Sequence, residues 1–183
     1  MVSFGTKGFE ATSLDQLAAE LGVRKQTILY HFNSKPELLD AVIDETSRQL
    51  ATVFEETLVD AGSGFDRIEA IIRSVFRLAL RRPELLGVLR EVARLGPPAA
   101  TRLAGNLDPL VQRARSFLEA EMDMGHFRKS DAQLLLLSVY TTVVGVATEV
   151  EVLRAIGIEP TLRTTAVRRR ELVQFLHRAL VAD

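Results

Sequence analysis

Leu, Ile, Val and Phe recur along most of this chain every three or four residues, the period of an amphipathic helix, and no stretch sustains the period-two alternation of a strand. Leu14, Leu17, Ala18 and Leu21 mark one face of a segment that opens at Ser13, where Gln16 completes a capping-box pattern, and stops at Gly22. A short helix is predicted over about 25–30. Ser34-Lys-Pro-Glu37 is a second capping box, with Pro36 in a first turn where its missing N–H costs nothing. It opens a long helix whose apolar face runs from Leu38 to Leu58, up to Asp60-Ala-Gly-Ser-Gly64.

Beyond that break, Phe65, Ile68, Ile72, Val75, Phe76, Ala79 and Leu80 define another amphipathic helix, and Arg82-Pro83 separates it from a helix over 83–95. Gly96-Pro-Pro98 is a stop. A short piece at 99–104 is expected to end near Asn106-Leu-Asp-Pro109, followed by a helix through Leu110, Phe117 and Met122 to Gly125. One apolar helix is expected from Ser130 or Asp131 to about Ile156, and a last one over about 161–181. The pattern predicts an all-α fold in two parts: a small N-terminal domain over 1–45 and a larger helical domain over 46–183.

With 183 residues, 47% of them hydrophobic and 26% charged, the chain is long enough to bury a core and has a globular composition. Cys is absent, which excludes disulfides, thiolate metal sites and a Cys nucleophile. No signal peptide is visible, and the longest apolar run, around 134–147, is too short to span a bilayer, so a cytoplasmic protein is expected. His31, His126 and His177 lack ligand-like spacing, and neither a phosphate loop nor a nucleophile motif is present. No metal, no cofactor and no enzymatic activity are expected.

The net charge is −1, yet residues 22–35, GVRKQTILYHFNSK, hold Arg24, Lys25 and Lys35 with no acidic residue among them. Two short helices joined by a tight Gly turn form the skeleton of a helix-turn-helix, whose second helix enters the DNA major groove N-terminus first. Here that helix begins Arg24-Lys-Gln-Thr27. Arg and Lys can pair with guanine acceptors, Gln with adenine, and Thr with the thymine methyl. Lys35, at the start of the long helix, suits a phosphate.

Thr12-Ser-Leu-Asp-Gln-Leu-Ala-Ala-Glu-Leu-Gly-Val23, Thr27-Ile-Leu-Tyr-His-Phe32 and Ser34-Lys-Pro-Glu-Leu-Leu39, preceded by Phe4-Gly-Thr-Lys-Gly-Phe9, resemble the DNA-binding domain of TetR-family transcriptional regulators. The resemblance covers about residues 4–45; the remainder matches only in helical layout. It implies that 25–31 is the recognition helix. Lys25, Gln26 and Thr27 then fall where bases or nearby phosphates are contacted, Tyr30 and His31 on an aromatic pair ending that helix, and Lys35 and Ser13 on phosphate contacts. Arg24 stands where the family usually has a capping Ser or Thr, and Leu29 where it often has Tyr. Only Met1-Val-Ser precedes Phe4, so the first helix is expected to be truncated, or the start misplaced. Loss of that helix is expected to bare the apolar faces around Leu17, Leu21 and Ile28.

The segment 131–156 is apolar nearly all round, which demands burial in a core or a subunit interface. The resemblance implies a homodimer through helices 131–156 and 161–181, bound to a pseudo-palindromic double-stranded DNA operator. It also implies a small-molecule effector, read as apolar, in a pocket for which Phe76, Leu80, Leu89, Val92, Phe117, Met122, Tyr140 and Val144 are candidates. Ordinary core packing is the competing reading for each. Arg168-Arg-Arg170 is expected to be a solvated arc of the last helix. The functional expectation is a ligand-responsive repressor. The alternative is a dimeric helical protein-interaction module that has lost DNA binding.

Overall fold

The computed structural model describes residues 1–182, and among these the chain forms ten helices: α1 Val2–Lys7, α2 Leu14–Leu21, α3 Lys25–His31, α4 Lys35–Val59, α5 Phe65–Arg81, α6 Pro83–Leu95, α7 Ala99–Asp123, α8 Ala132–Thr148, α9 Val150–Ala155 and α10 Leu162–Leu180. Among the described residues no helix is long and apolar enough to cross a membrane. The local signals act as expected. Ser13 and Gln16 cap α2 reciprocally, and Gly22, in the left-handed region at φ 66°, ends it. Ser34 Oγ accepts the Glu37 N–H at 3.2 Å, while the Glu37 carboxylate reaches one residue beyond the cap to the Asn33 N–H. Thr161 and Thr164 form a further box at the start of α10.

Two helix boundaries depart from expectation. The break expected near Pro109 is absent: α7 runs through it. The carbonyl that Pro109 would crowd and leave without a donor belongs to Gly105, on an exposed stretch where water can serve it. Conversely, the single helix expected over 131–156 is divided at Glu149, where φ −80° and ψ 68° leave the helical region. Neither Gly nor Pro marks that break. Its compensation comes from far along the chain: Arg168 donates through Nη1 to Val146 O and, at 3.0 Å, through Nη2 to Thr165 Oγ1. Arg168 is therefore half-buried and bonded, not part of a solvated arc; Arg169 and Arg170 are exposed.

The chain divides into two compact units. The first comprises Met1–Thr52 and Arg82–Asp108. This unit holds the helix-turn-helix together with α6 and the start of α7. The reason is packing: Val88, Val92 and Ala99 bury with Phe4, Leu39, Val42 and Ile43 in one cluster. α1 lies on α6 main chain to main chain, because a Cβ on Gly5 would collide with the Glu84 carbonyl oxygen and one on Gly87 with that of Gly5. Arg102 grips Asp44 with two hydrogen bonds of 2.6 and 2.8 Å, which ties α7 to α4. Of the three positions expected to be bared, Ile28 is buried, Leu17 packs against the cluster, and Leu21 alone is widely open, at 68% exposure.

The second unit comprises Val53–Arg81 and the residues from Pro109 onward. Its α5, α8 and α10 pack on one another. Thr165, Leu172, Leu176 and Leu180 form the inward face of α10.

Candidate nucleic-acid interface

α2 and α3 pack together across the turn that Gly22 makes possible; the Val23 N–H closes it on Ala18 O at 3.0 Å. Ile28 is the buried anchor of α3, and Leu29 and Phe32 are half-buried beside it. That orientation leaves Gln26, Thr27, Tyr30 and His31 on the open side, one turn apart in two pairs. Tyr30 is 86% exposed, too open for a packing role, and its ring meets that of His31 edge-on at 5.2 Å. Arg24 is exposed and, as the N-cap residue of α3, gives no side-chain cap; its carbonyl accepts the Thr27 N–H at 2.9 Å.

Ser13 is exposed, and its Oγ accepts the Gln16 N–H at 3.1 Å, which leaves its O–H free to donate. Lys25 does not stand free: its Nζ meets Asp15 Oδ2 at 2.8 Å. Lys7 is likewise neutralised by Glu20 at 2.6 Å, and Ser3 Oγ donates to the same carboxylate. The Lys7 bond, then that of Ser3, holds Glu20 below the usual carboxylate range. Among the described residues no carboxylate pairs with Lys35; its ammonium lies 4.2 Å from the Phe9 ring centroid. The eight residues expected to touch DNA thus all lie on α2, α3, their flanks and the start of α4, and none is fully buried. Asp15 escaped the sequence reading, since a charge ten residues before Lys25 carries no periodic signal.

The effector candidates fall in both units. Leu89 and Val92 lie in the first unit, where Val92, wholly buried, packs with Phe4 and Leu39. The others are in the second unit. Phe76, Met122 and Val144 are buried there, and Phe117 is half-buried with its ring 6.1 Å from that of Phe127. Leu80 and Tyr140 are exposed. A helical period places apolar residues on a face but does not say what that face meets. The apolar character of α8 is partly outward: Leu134, Leu137 and Tyr140 are exposed, as are Val167 and Phe175 on α10.

A tight-turn helix pair with an open polar second helix, in an all-α chain, defines a helix-turn-helix protein with a further helical domain. Residues 1–42 match the family described as bacterial regulatory proteins, tetR family. The chain is 35% identical over 95 residues to the HTH-type transcriptional repressor DrrR1 of Streptomyces coeruleorubidus, a match covering 51% of this chain and 33% of that protein. It is 28% identical over 111 residues to the nucleoid occlusion factor SlmA of Serratia proteamaculans (strain 568), covering 61% and 55%. The chain therefore spans about a third to a half of the curated relatives it matches. The fold is shared more widely. A putative transcriptional regulator from Saccharomonospora viridis, solved with choline, superposes with a TM-score of 0.81 at 18% identity, over 100% of this chain and 93% of that one. AibR, solved with isovaleryl coenzyme A and operator DNA, does so with a TM-score of 0.76 at 19% identity, over 94% and 90%.

Proposed function

We propose that the chain is a dimeric, ligand-responsive transcriptional repressor that reads a pseudo-palindromic operator through α3. The observation that carries this is the open face of α3, on which Gln26, Thr27, Tyr30 and His31 stand together while Ile28 anchors the helix from behind. Gln26 and Thr27 meet base edges, and Tyr30 and His31 meet the sugar-phosphate edge of the groove. Arg24, Lys25, Lys35 and Ser13 bind phosphates and fix the register. Lys25 must exchange Asp15 for a phosphate to do so, which costs little for so exposed a pair.

The exposed apolar residues of α8 and α10 support dimerisation through these helices. A two-fold axis there sets two recognition helices about one DNA turn apart, roughly 34–36 Å. Repression is supported by the named activity of the DrrR1 relative, and effector control by the ligand complexes of the S. viridis regulator and AibR. The effector acts by binding better to the state that cannot hold the operator. Two copies would work in the cytoplasm on chromosomal DNA.

Selection of duplexes from a random pool, followed by gel shift with the enriched sequence, tests the reading. A palindromic consensus is expected, bound by two copies, with affinity falling steeply as salt rises. No enrichment, or an affinity indifferent to Gln26→Ala with Thr27→Ala, overturns it.

A further inference from the structure

Glu91 stands on α6, 82 residues from the turn it touches. Its side chain is only 11% exposed. Its Oε1 accepts the Phe9 N–H at 2.6 Å, and its two oxygens take both arms of the Arg94 guanidinium at 2.9 Å. Gly8, at φ 90°, passes close over this carboxylate: a Cβ there would lie 3.1 Å from Glu91 Oε1. The bare turn thus lets the main chain settle on the carboxylate. The turn presents the Phe9 ring, which leans on Phe4 with centroids 5.5 Å apart and carries the Lys35 ammonium at 4.2 Å. All of these residues belong to the first unit.

The other lysines near the recognition helix are neutralised, Lys7 by Glu20 and Lys25 by Asp15. Lys35 is held differently. An aromatic face fixes a cation through its quadrupole and leaves the charge uncancelled. A long side chain restrained in this way loses less rotamer freedom when it meets a phosphate.

We propose that Glu91 and Phe9 are positioning residues for DNA binding: Glu91 fixes the Phe9 main chain, the Phe9 ring fixes the Lys35 ammonium, and Lys35 meets the DNA backbone already ordered. This rests on the reading of Lys35 as a phosphate contact, and two measurements separate the two claims. The first needs no DNA. In the free protein the ε-methylene protons of Lys35 should show the upfield ring-current shift of a group above an aromatic face. Phe9→Leu, which keeps the N–H for Glu91, should abolish it. Glu91→Ala should diminish it, and Glu91→Gln, which keeps an acceptor oxygen, should restore it. An unshifted Lys35 in the parent protein, or a shift indifferent to Glu91→Ala, overturns the positioning claim whatever the protein binds.

The second measurement uses the duplex enriched by the parent protein. Glu91→Ala and Phe9→Leu should each weaken binding about 3-fold. In a Lys35→Ala background the same changes should have no further effect, because the device they serve is gone. Equal losses in both backgrounds would assign Glu91 a merely structural role and overturn the proposal. Should Glu91→Ala fail to fold, Phe9→Leu decides by the same cycle. If no duplex is enriched, the DNA reading fails and the ring-current result still decides whether Glu91 and Phe9 hold Lys35.

Discussion

Alanine in place of Gly87 should destabilise this protein, against the usual direction for a helix interior. Gly→Ala inside an exposed helix ordinarily gains about 1 kcal/mol, because Gly loses more backbone freedom on folding. At Gly87 the new carbon would fall within the volume of the Gly5 carbonyl oxygen, a main-chain atom of α1. No flexible side chain can move aside, so the two helices must separate. That opens the cluster holding Phe4, Val88 and Val92. Overpacking costs about 1–3 kcal/mol, and with main chain on both sides the upper end applies; subtracting the propensity gain leaves a loss of about 2 kcal/mol. Gly105→Ala is the control: it is also helical, its Cβ would meet no atom within 4 Å, and it should gain about 0.5–1 kcal/mol. Urea unfolding followed by circular dichroism, with hydrogen exchange of the α6 amides, reads both. A Gly87→Ala midpoint raised as much as that of Gly105→Ala would refute the close crossing of α1 and α6.

Asp15→Asn should strengthen operator binding about 2- to 5-fold at low salt, because it frees Lys25 and removes an anion beside the phosphates, and unfolding should scarcely change; titration showing unaltered affinity counts against Lys25 as a contact. Arg168→Ala should cost about 1–2 kcal/mol in urea unfolding, since Val146 O and the buried Thr165 hydroxyl both lose a donor; an unchanged midpoint would show that the α8 break needs no such bond. Acid should weaken the first unit. Arg94, then the Phe9 N–H, holds Glu91 below its ordinary 4.5, and Arg102, then Asn106, holds Asp44 below 3.8. Carboxylates depressed on folding contribute above the unfolded value and lose that contribution as pH falls through the folded one. Melting temperature should therefore drop as the pH falls below about 4.5, less steeply in Glu91→Gln; parallel profiles for the two proteins would exclude Glu91 as a source.

Most of the local signals were read correctly, though not the break expected at Pro109 or the unbroken helix over 131–156. The boxes at Ser13 and Ser34 and the stop at Gly22 depend on atoms three or four residues apart, so the residue types alone announce them. The same holds for α3: once Ile28 is the inward residue, the helical period dictates that Gln26, Thr27, Tyr30 and His31 face out. The effector candidates were legible only as apolar helix positions, and these fall in both units.

The sequence by itself determined most of the helices, the cap of α2 and the chemistry offered by the stretch from Arg24 to Lys35, because each depends on the identity and spacing of near neighbours. Tertiary structure alone decided that α6 joins the unit of the helix-turn-helix, that Asp15 occupies Lys25, that Arg168 serves a broken helix, and that Glu91 reaches the turn before α2. Those contacts join residues ten to eighty-two positions apart, and no periodicity along a chain encodes which distant face, or which distant charge, folding will bring against it.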